Sequence, residues 1–290
     1  MAEKDKVQRT LESYNDVFAD IVNVLLFDGA DTVKEDELTD AQPFSYYKME
    51  GKKVHSQERD VSKFWNNGQI RLSMIGLENQ MKADKYMPLR VIGYDGAAYR
   101  AQLLEKTKKA CYPIITLVLY FGTKRHWKNH RNLKDVITVP SELDSFVNDY
   151  KINVFELAWL TDEQINSFKS DFREVVLFLK CQRTGEKFSG SKTKLKHGFE
   201  ILDLLRVMSN NDSNLINAIE DIKNKDIKGG FGMCNVIQRI IDDNTEEVAR
   251  SLYENGVSIE LIAKSLHMTE DQVREIVKEC HSELVSESRC

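Results

Sequence analysis

Three residues whose side chains suit a metal site lie close together in the first third of the chain: Asp60, Glu78 and Gln80. Two carboxylates from neighbouring strands can converge on one divalent ion, which assists the hydrolysis of a phosphodiester bond. Side chains alternate along a strand, so Glu78 and Gln80 point to one face, and the Gln80 amide can orient a water molecule there. The same pattern also fits a strand end that simply meets solvent.

A β-hairpin is the element that would position these residues. Segments 58–65 and 70–80 have the composition of strands, and Asn66-Asn67-Gly68 between them is typical of a tight hairpin turn. The even positions of the second strand are apolar or small before they become polar: Ile70, Leu72, Met74 and Gly76, then Glu78 and Gln80. The apolar face of this strand therefore ends in a polar, acidic pocket.

The flanking segments predict an α/β fold. Residues 7–26 have the apolar periodicity of an amphipathic helix, and 84–105 predict a second helix with Pro88 in its first turn. Segment 112–121 is almost continuously apolar, which is typical of a strand covered on both faces. Arg90 on the second helix can contact a phosphate or simply pack the helix on the sheet.

Four blocks of the sequence resemble successive motifs of the recombination-promoting nuclease (Rpn), or putative transposase, family: YNDVFADIVNVLLF, ERDVSKFW, GLENQMKADKYMPLRVIGYDGAAYR and YPIITLVLYFG. The resemblance covers roughly residues 10–180. It implies a restriction-endonuclease-like core of the PD-(D/E)xK superfamily, a mixed sheet flanked by helices. It also implies DNA cleavage that depends on Mg²⁺, with Mn²⁺ as a substitute, and that is linked to recombination or mobile elements.

The resemblance also assigns roles to particular residues. Asp60 matches the motif aspartate, and Glu78 and Gln80 match the family's E-x-Q, so these three are the expected catalytic residues, with Asp60 and Glu78 as metal ligands. Asp16 matches an aspartate on the first helix and is expected as a further metal ligand. From the residues alone, Asp16 fits a solvated helix face equally well. Two residues depart from the superfamily pattern. Arg59 stands where the superfamily has a proline before the aspartate, and Gln80 stands in place of a lysine.

Basic residues cluster between positions 106 and 134, although the chain carries a net charge of −5. Such a cluster fits a surface that follows DNA phosphates, and it fits a solubilising face as well. The residues expected to contact DNA are Arg90, Lys124, Arg125, Lys128 and Arg131.

The C-terminal part of the chain is predicted to be helical, and it follows a predicted helix over 161–180 that is capped at Thr161. We expect a nuclease-like domain over 1–185, a helical extension over 186–243 and a helix-turn-helix-like tail over 244–290. The would-be recognition helix, TEDQVREIVKE, is more acidic than basic, which is unfavourable beside phosphates. Packing or self-association through the apolar face of these helices is the interpretation we favour.

Composition excludes several other classes. The five cysteines have no zinc spacing and predict reduced thiols, and no secretory signal or membrane-length apolar run is visible, so the expected location is the cytoplasm. The chain lacks the glycine-rich phosphate loop that an enzyme acting on small nucleotides would need. The remaining alternative to a nuclease is a DNA-binding or scaffold protein with a degenerate nuclease site.

Overall fold

A computed structural model describes residues 3–41, 44–48, 54–68, 70–104, 110–128, 130–209 and 232–277. Contacts divide the chain into two compact units. The first unit contains residues 1–188 and 196–208, and the second contains 189–195 and 209–290. The two units therefore alternate along the sequence. The predicted boundaries at 185 and 243 stay predictions.

The first unit is an α/β structure. Its described helices are α1 (Glu3–Ser13), α2 (Asn15–Phe27), α3 (Met87–Leu104), α4 (Asp162–Ser167), α5 (Phe172–Thr184) and α6 (Gly198–Met208). Its described strands are β1 (Leu38–Asp40), β2 (Phe44–Lys48), β3 (Val54–Glu58), β4 (Val61–Asn67), β5 (Ile70–Gln80), β6 (Ile114–Tyr120) and β7 (Asn153–Glu156).

Five of these strands form one mixed sheet in the order β1-β4-β5-β6-β7. The pairs β1–β4 and β4–β5 are antiparallel, and β5–β6 and β6–β7 are parallel, with α3 as the crossover between β5 and β6. Strands β2 and β3 form a separate antiparallel pair. The predicted fold class, a mixed sheet flanked by helices with a helical C-terminal region, is confirmed.

Side chains of β6 alternate between two buried layers. Val118 and Tyr120 pack with Met87, Val91 and Tyr94 of α3. Leu117 and Leu119, on the opposite face, are fully buried. Burial on both faces explains the continuous apolar run of this strand, and it holds the neighbouring end of β5 rigidly in place.

Two predicted helices are each divided in the structure. The predicted helix 7–26 breaks at Tyr14, whose backbone is extended, with φ −66° and ψ 131°. The Tyr14 hydroxyl donates to Glu200 at 2.8 Å and its ring stacks on His197, so contacts with α6 favour the break. The predicted helix 161–180 becomes α4 and α5, and the expected cap at Thr161 is present, since its hydroxyl accepts from the Gln164 N–H.

The second unit contains α7 (Met233–Glu254), α8 (Ile259–Leu266) and helical residues 270–277. Residue 244, where we predicted the tail to begin, lies within α7. The three helices share one apolar cluster, whose buried members are Ala249, Ile262, Ala263, Val273, Ile276 and Val277.

Candidate functional site

The β4–β5 hairpin brings the predicted residues together at one end of the sheet. Val61 of β4 pairs with Leu77 of β5 in the antiparallel register, so Asp60 and Glu78 lie opposite each other at the next position. The backbone N–H of Asn79 donates to Asp60 Oδ2 at 2.7 Å, and this hydrogen bond fixes the aspartate against the end of β5. At the turn, Asn67 pairs with Ile70, and a β-bulge between Trp65 and Asn66 shifts the register by one residue, which places Asp60 opposite Glu78.

Asp60 is held from two sides. Besides the Asn79 N–H, its Oδ1 accepts from the Arg9 Nε of α1 at 2.7 Å. Burial raises the pKa of Asp60 above its usual value, although the Asn79 hydrogen bond and the charge of Arg9 oppose the shift. A carboxylate in this position gains from any additional positive charge.

Glu78 is more deeply buried, with 2% of its surface exposed. Its Oε1 accepts from Gln80 Nε2 at 3.3 Å and from the guanidinium of Arg90. Its Oε2 is buried and has no hydrogen-bond partner. Burial, followed by the charge of Asp60, raises the pKa of Glu78 to about 8. An unpartnered, desolvated carboxylate oxygen is costly in a folded protein unless something binds it.

Arg90 lies on α3 beside the carboxylates. It also donates to Asp84 and, one turn along the helix, to the Tyr94 hydroxyl at 3.2 Å. About 39% of its side chain is exposed, so it remains accessible from solvent while it contacts Glu78. Arg90 therefore remains compatible with both roles considered from the sequence, because it packs against the site and stays within reach of a phosphate.

Glu12 of α1 also belongs to this cluster, although its sequence position did not single it out. Its Oε2 accepts from Asn79 Nδ2 at 2.7 Å, and 1% of the residue is exposed. Burial raises the pKa of Glu12 to about 8, with the charges of Asp60 and Glu78 as further causes. The signal in the sequence was weak: an acid that directly follows Leu11 of the apolar stripe.

Asp16 lies among other partners. Its carboxylate contacts His197 Nε2 at 3.0 Å and Lys196 Nζ at 2.9 Å. Partial burial acts to raise the pKa of Asp16, but the hydrogen bonds from Lys196 and His197 outweigh it, and the pKa of Asp16 lies below its usual value. The structure therefore brings Asp60, Glu78 and Gln80 together and gives Asp16 a contact with the start of α6, while Glu12 supplies the helix carboxylate near Asp60.

Arg59, which stands where the superfamily has proline, has a buried partner network. Its guanidinium forms an ion pair with Asp95 of α3, and its Nε donates to the Thr116 hydroxyl of β6 at 3.2 Å. Tyr150 also donates its hydroxyl to Asp95. The network ties the residue before Asp60 to both neighbouring elements, so Arg59 has a structural role in this fold.

The segment after β6 carries a smaller basic surface than the sequence suggested. Lys124, Arg125 and Lys128 are exposed, and we call these three residues the basic patch. Arg131 instead donates to Glu156 at 2.6 Å and to the Val154 carbonyl at 3.0 Å. Three further predicted basic residues lie outside the described residues: Lys106, Lys108 and Lys109.

The helix-turn-helix-like region has the order of helix, turn and helix expected of that motif without its usual charge. Ser258 caps α8, the turn passes through His267 with φ 55°, and helix 270–277 follows. That helix exposes Glu270, Asp271 and Glu275, and Arg274 pairs with the first two. Its exposed face is therefore mainly acidic.

Within the described residues, no three His, Cys, Asp or Glu side chains are placed to hold one metal ion. Any cation at this site would therefore also need amide, backbone or water oxygens, which Mg²⁺ accepts readily. The same part of the chain contains no helix long and apolar enough to cross a membrane.

The fold and the site define an α/β protein with paired carboxylates at the end of a central hairpin. Residues 66–202 match the family model described as "Putative transposase, YhgA-like". The match covers just under half of the chain and includes Glu78, Gln80 and Arg90, and it confirms the resemblance to the putative transposase family predicted from the sequence. No curated protein and no solved structure matches the chain.

Proposed function

We propose that this protein is a Mg²⁺-dependent DNA endonuclease that acts in recombination or in mobile-element activity. The observation that carries the proposal is the pairing of Asp60 with Glu78 at the end of the hairpin, beside a buried Glu78 oxygen that lacks a partner. The match to a putative transposase family supports DNA as the substrate and mobile elements as the context.

The residues of the site fit a hard divalent cation. All the candidate donors are oxygen atoms, which favour Mg²⁺ and Mn²⁺ over thiophilic metals. Positive charge already lies beside both carboxylates, because Arg9 contacts Asp60 and Arg90 contacts Glu78. The side chains of these arginines are 23% and 39% exposed, so each can move toward solvent when another positive charge arrives.

In the proposed reaction, Asp60 and Glu78 would hold the cation, which when bound would supply Lewis-acid activation of the phosphodiester and of the attacking water. Gln80 lies on the same strand face as Glu78, so its amide is placed to orient the attacking water. Arg90, once released from Glu78, would offer a positive charge to offset the charge that develops on the phosphate. The basic patch would hold the DNA backbone on either side.

A plasmid-nicking assay tests this proposal. Supercoiled DNA should be nicked with Mg²⁺ or Mn²⁺ and remain intact with EDTA. Asp60→Asn and Glu78→Gln should abolish nicking, whereas Asp144→Asn, an exposed carboxylate that pairs with Lys134, should not. Full activity in EDTA, or undiminished nicking by both site variants, would refute the proposal.

A second candidate function is DNA binding or scaffolding with a degenerate site. It is favoured by the pairing of both carboxylates with arginines and by the absence, within the described residues, of three clustered acidic, His or Cys ligands. Calorimetry separates the two functions. A nuclease should bind Mg²⁺ in the wild type and lose that binding in Asp60→Ala, whereas a scaffold should bind DNA equally well with and without Mg²⁺ and show no Mg²⁺ binding.

A further inference from the structure

A largely exposed loop, residues 81–86, joins β5 to α3 directly after Gln80 of the site. Three large apolar side chains lie exposed in this loop and in the first turn of α3: Met81, Tyr86 and Leu89. Tyr86 is the most open of them, with 54% of its surface exposed. Exposed apolar side chains that are grouped among polar residues mark contact surfaces more often than single ones do.

The position of Tyr86 is fixed relative to the paired carboxylates. Its backbone N–H donates to Asp84 Oδ1 at 2.9 Å, and Asp84 Oδ2 accepts from Arg90 Nη1 at 3.1 Å. The Tyr86 carbonyl accepts the backbone N–H of Arg90 at 3.2 Å, so the two residues lie one helical turn apart on the same side of α3. Arg90 in turn contacts Glu78. The exposed ring is therefore one turn away from a residue that reaches into the site.

Positive charge surrounds this ring. Lys82 and Lys85 are both exposed, and the Lys85 ammonium lies over the Tyr86 ring, 5.5 Å from its centre. The N-terminus of α3 adds a partial positive charge, because its first turn contains no acid. Asp84 is the acid of the loop, and its carboxylate is occupied by Arg90 and by the Tyr86 N–H. The loop therefore combines an aromatic ring with charges that attract a phosphate backbone.

We propose that Tyr86 stacks on an unpaired base, so that the substrate of the proposed nuclease is single-stranded or locally unpaired DNA. This inference rests on the proposed function and names the substrate class of that same site. A base within a duplex is covered by its neighbours, whereas an unpaired base offers a face to an aromatic ring. Lys82 and Lys85 bind phosphates of the same strand, which leads that strand toward the paired carboxylates.

Stacking of this kind carries little sequence information, because every base has a face that an aromatic ring can cover. Lysine contacts with phosphates are equally independent of sequence. The loop therefore selects the state of the DNA strand, unpaired rather than paired. The basic patch, in contrast, contributes charge alone and can hold either form of DNA.

Fluorescence anisotropy of the full-length protein in EDTA measures DNA binding without cleavage. The probes are a labelled single strand and the duplex formed from the same strand and its complement. We expect the wild type to bind the single strand more tightly. Tyr86→Ala should weaken single-strand binding at least about fivefold and leave duplex binding unchanged, because alanine removes the stacking surface. Tyr86→Phe retains the ring and should bind as the wild type does.

Phe146→Ala is the matched control, because Phe146 is an aromatic residue of the first unit that is 80% exposed and lies on the segment before β7. It should bind both probes as the wild type does. The double replacement Lys82→Gln with Lys85→Gln should reduce the slope of single-strand affinity against salt by about 1.4 on logarithmic axes. An unchanged slope would contradict the inference. Melting curves establish that each variant is folded.

The outcomes separate this inference from the proposed function. If Tyr86→Ala weakens the binding of both probes equally, the ring enters paired DNA and the inference is wrong. It is also wrong if the wild type does not prefer the single strand, or if Tyr86→Ala binds both probes as the wild type does. In each of these cases the proposed function survives when the wild type nicks supercoiled plasmid with Mg²⁺. If the wild type binds neither probe and nicks no plasmid, both fail.

Discussion

The buried ion pair between Arg59 and Asp95 gives the sharpest prediction about the fold. Both side chains are about 95% buried, and Asp95 also accepts from the hydroxyls of Thr116 and Tyr150. Asp95→Ala would leave the Arg59 guanidinium buried and without its ion-pair partner. Removing one partner of a buried pair typically costs about 3–5 kcal/mol. In a unit of about 200 residues that loss corresponds to a melting temperature lower by roughly 6–20 °C.

Tryptophan fluorescence during urea unfolding is a suitable measurement, because the chain has three tryptophans and all of them lie in the first unit: Trp65, Trp127 and Trp159. Two further variants define the interpretation. The double replacement Arg59→Met with Asp95→Leu should recover much of the stability, since an apolar pair can substitute for a buried ion pair. Asp144→Ala, which breaks an exposed pair, should cost about 1 kcal/mol or less.

The reasoning would be refuted by a loss below about 1 kcal/mol in Asp95→Ala. It would be equally refuted if the double replacement were less stable than Asp95→Ala alone. Either result would mean that the Arg59 network does not hold the start of β4 against α3 and β6. The position of Asp60 would then need another explanation.

Four other predictions follow from the site and the tail. Gln80→Ala should lower the nicking rate about 10²-fold with little change in melting temperature, whereas Gln164→Ala, which disturbs only the α4 cap, should nick normally. If Gln80→Ala nicks as fast as the wild type, Gln80 has a structural role. Without divalent cations, the free energy of unfolding should fall as pH rises from 4.5 to about 8, because burial lets Glu12 and Glu78 keep protons that the unfolded chain has released. Added Mg²⁺ should reverse the fall, and urea midpoints measured at pH 5.5 and pH 8 test both expectations. Reversing all three basic-patch residues to Glu should weaken DNA binding and flatten its salt dependence, and an unchanged slope in a binding titration would assign the patch to solubility alone. Removal of residues 256–290 should change the oligomeric state measured by light scattering more than the DNA affinity, because helix 270–277 exposes mainly acids. Lost DNA binding with an unchanged oligomeric state would favour DNA reading by the tail.

The part of the site that depends on local sequence could be predicted. The alternation along β5 was sufficient to place Glu78 and Gln80 on one face, and the hairpin turn brought Asp60 near them, although a bulge between Trp65 and Asn66 sets the final register. These features depend on spacing within about 20 residues, which a single sequence displays directly.

The part that depends on distant contacts could not. The partners of Asp16 lie about 180 residues away, just before α6, and nothing near Asp16 in the sequence points to them. In the sequence, Glu12 is a single acid beside an apolar stripe. Its burial becomes evident only when α1 packs near β4 and Asn79 donates to it. Arg131 looked equivalent to its basic neighbours until Glu156 of β7 was found beside it.

The alternation of the two units along the chain has a consequence for genetic exchange. Helix α6 belongs to the first unit, where Leu202 and Leu205 are buried, yet residues 189–195 before it belong to the second. A chain that ended at residue 185 would lack α6 and the partners of Asp16. A single crossover in the gene that keeps one unit whole therefore always divides the other, and any fragment that is to contain the complete first unit must extend at least to Met208.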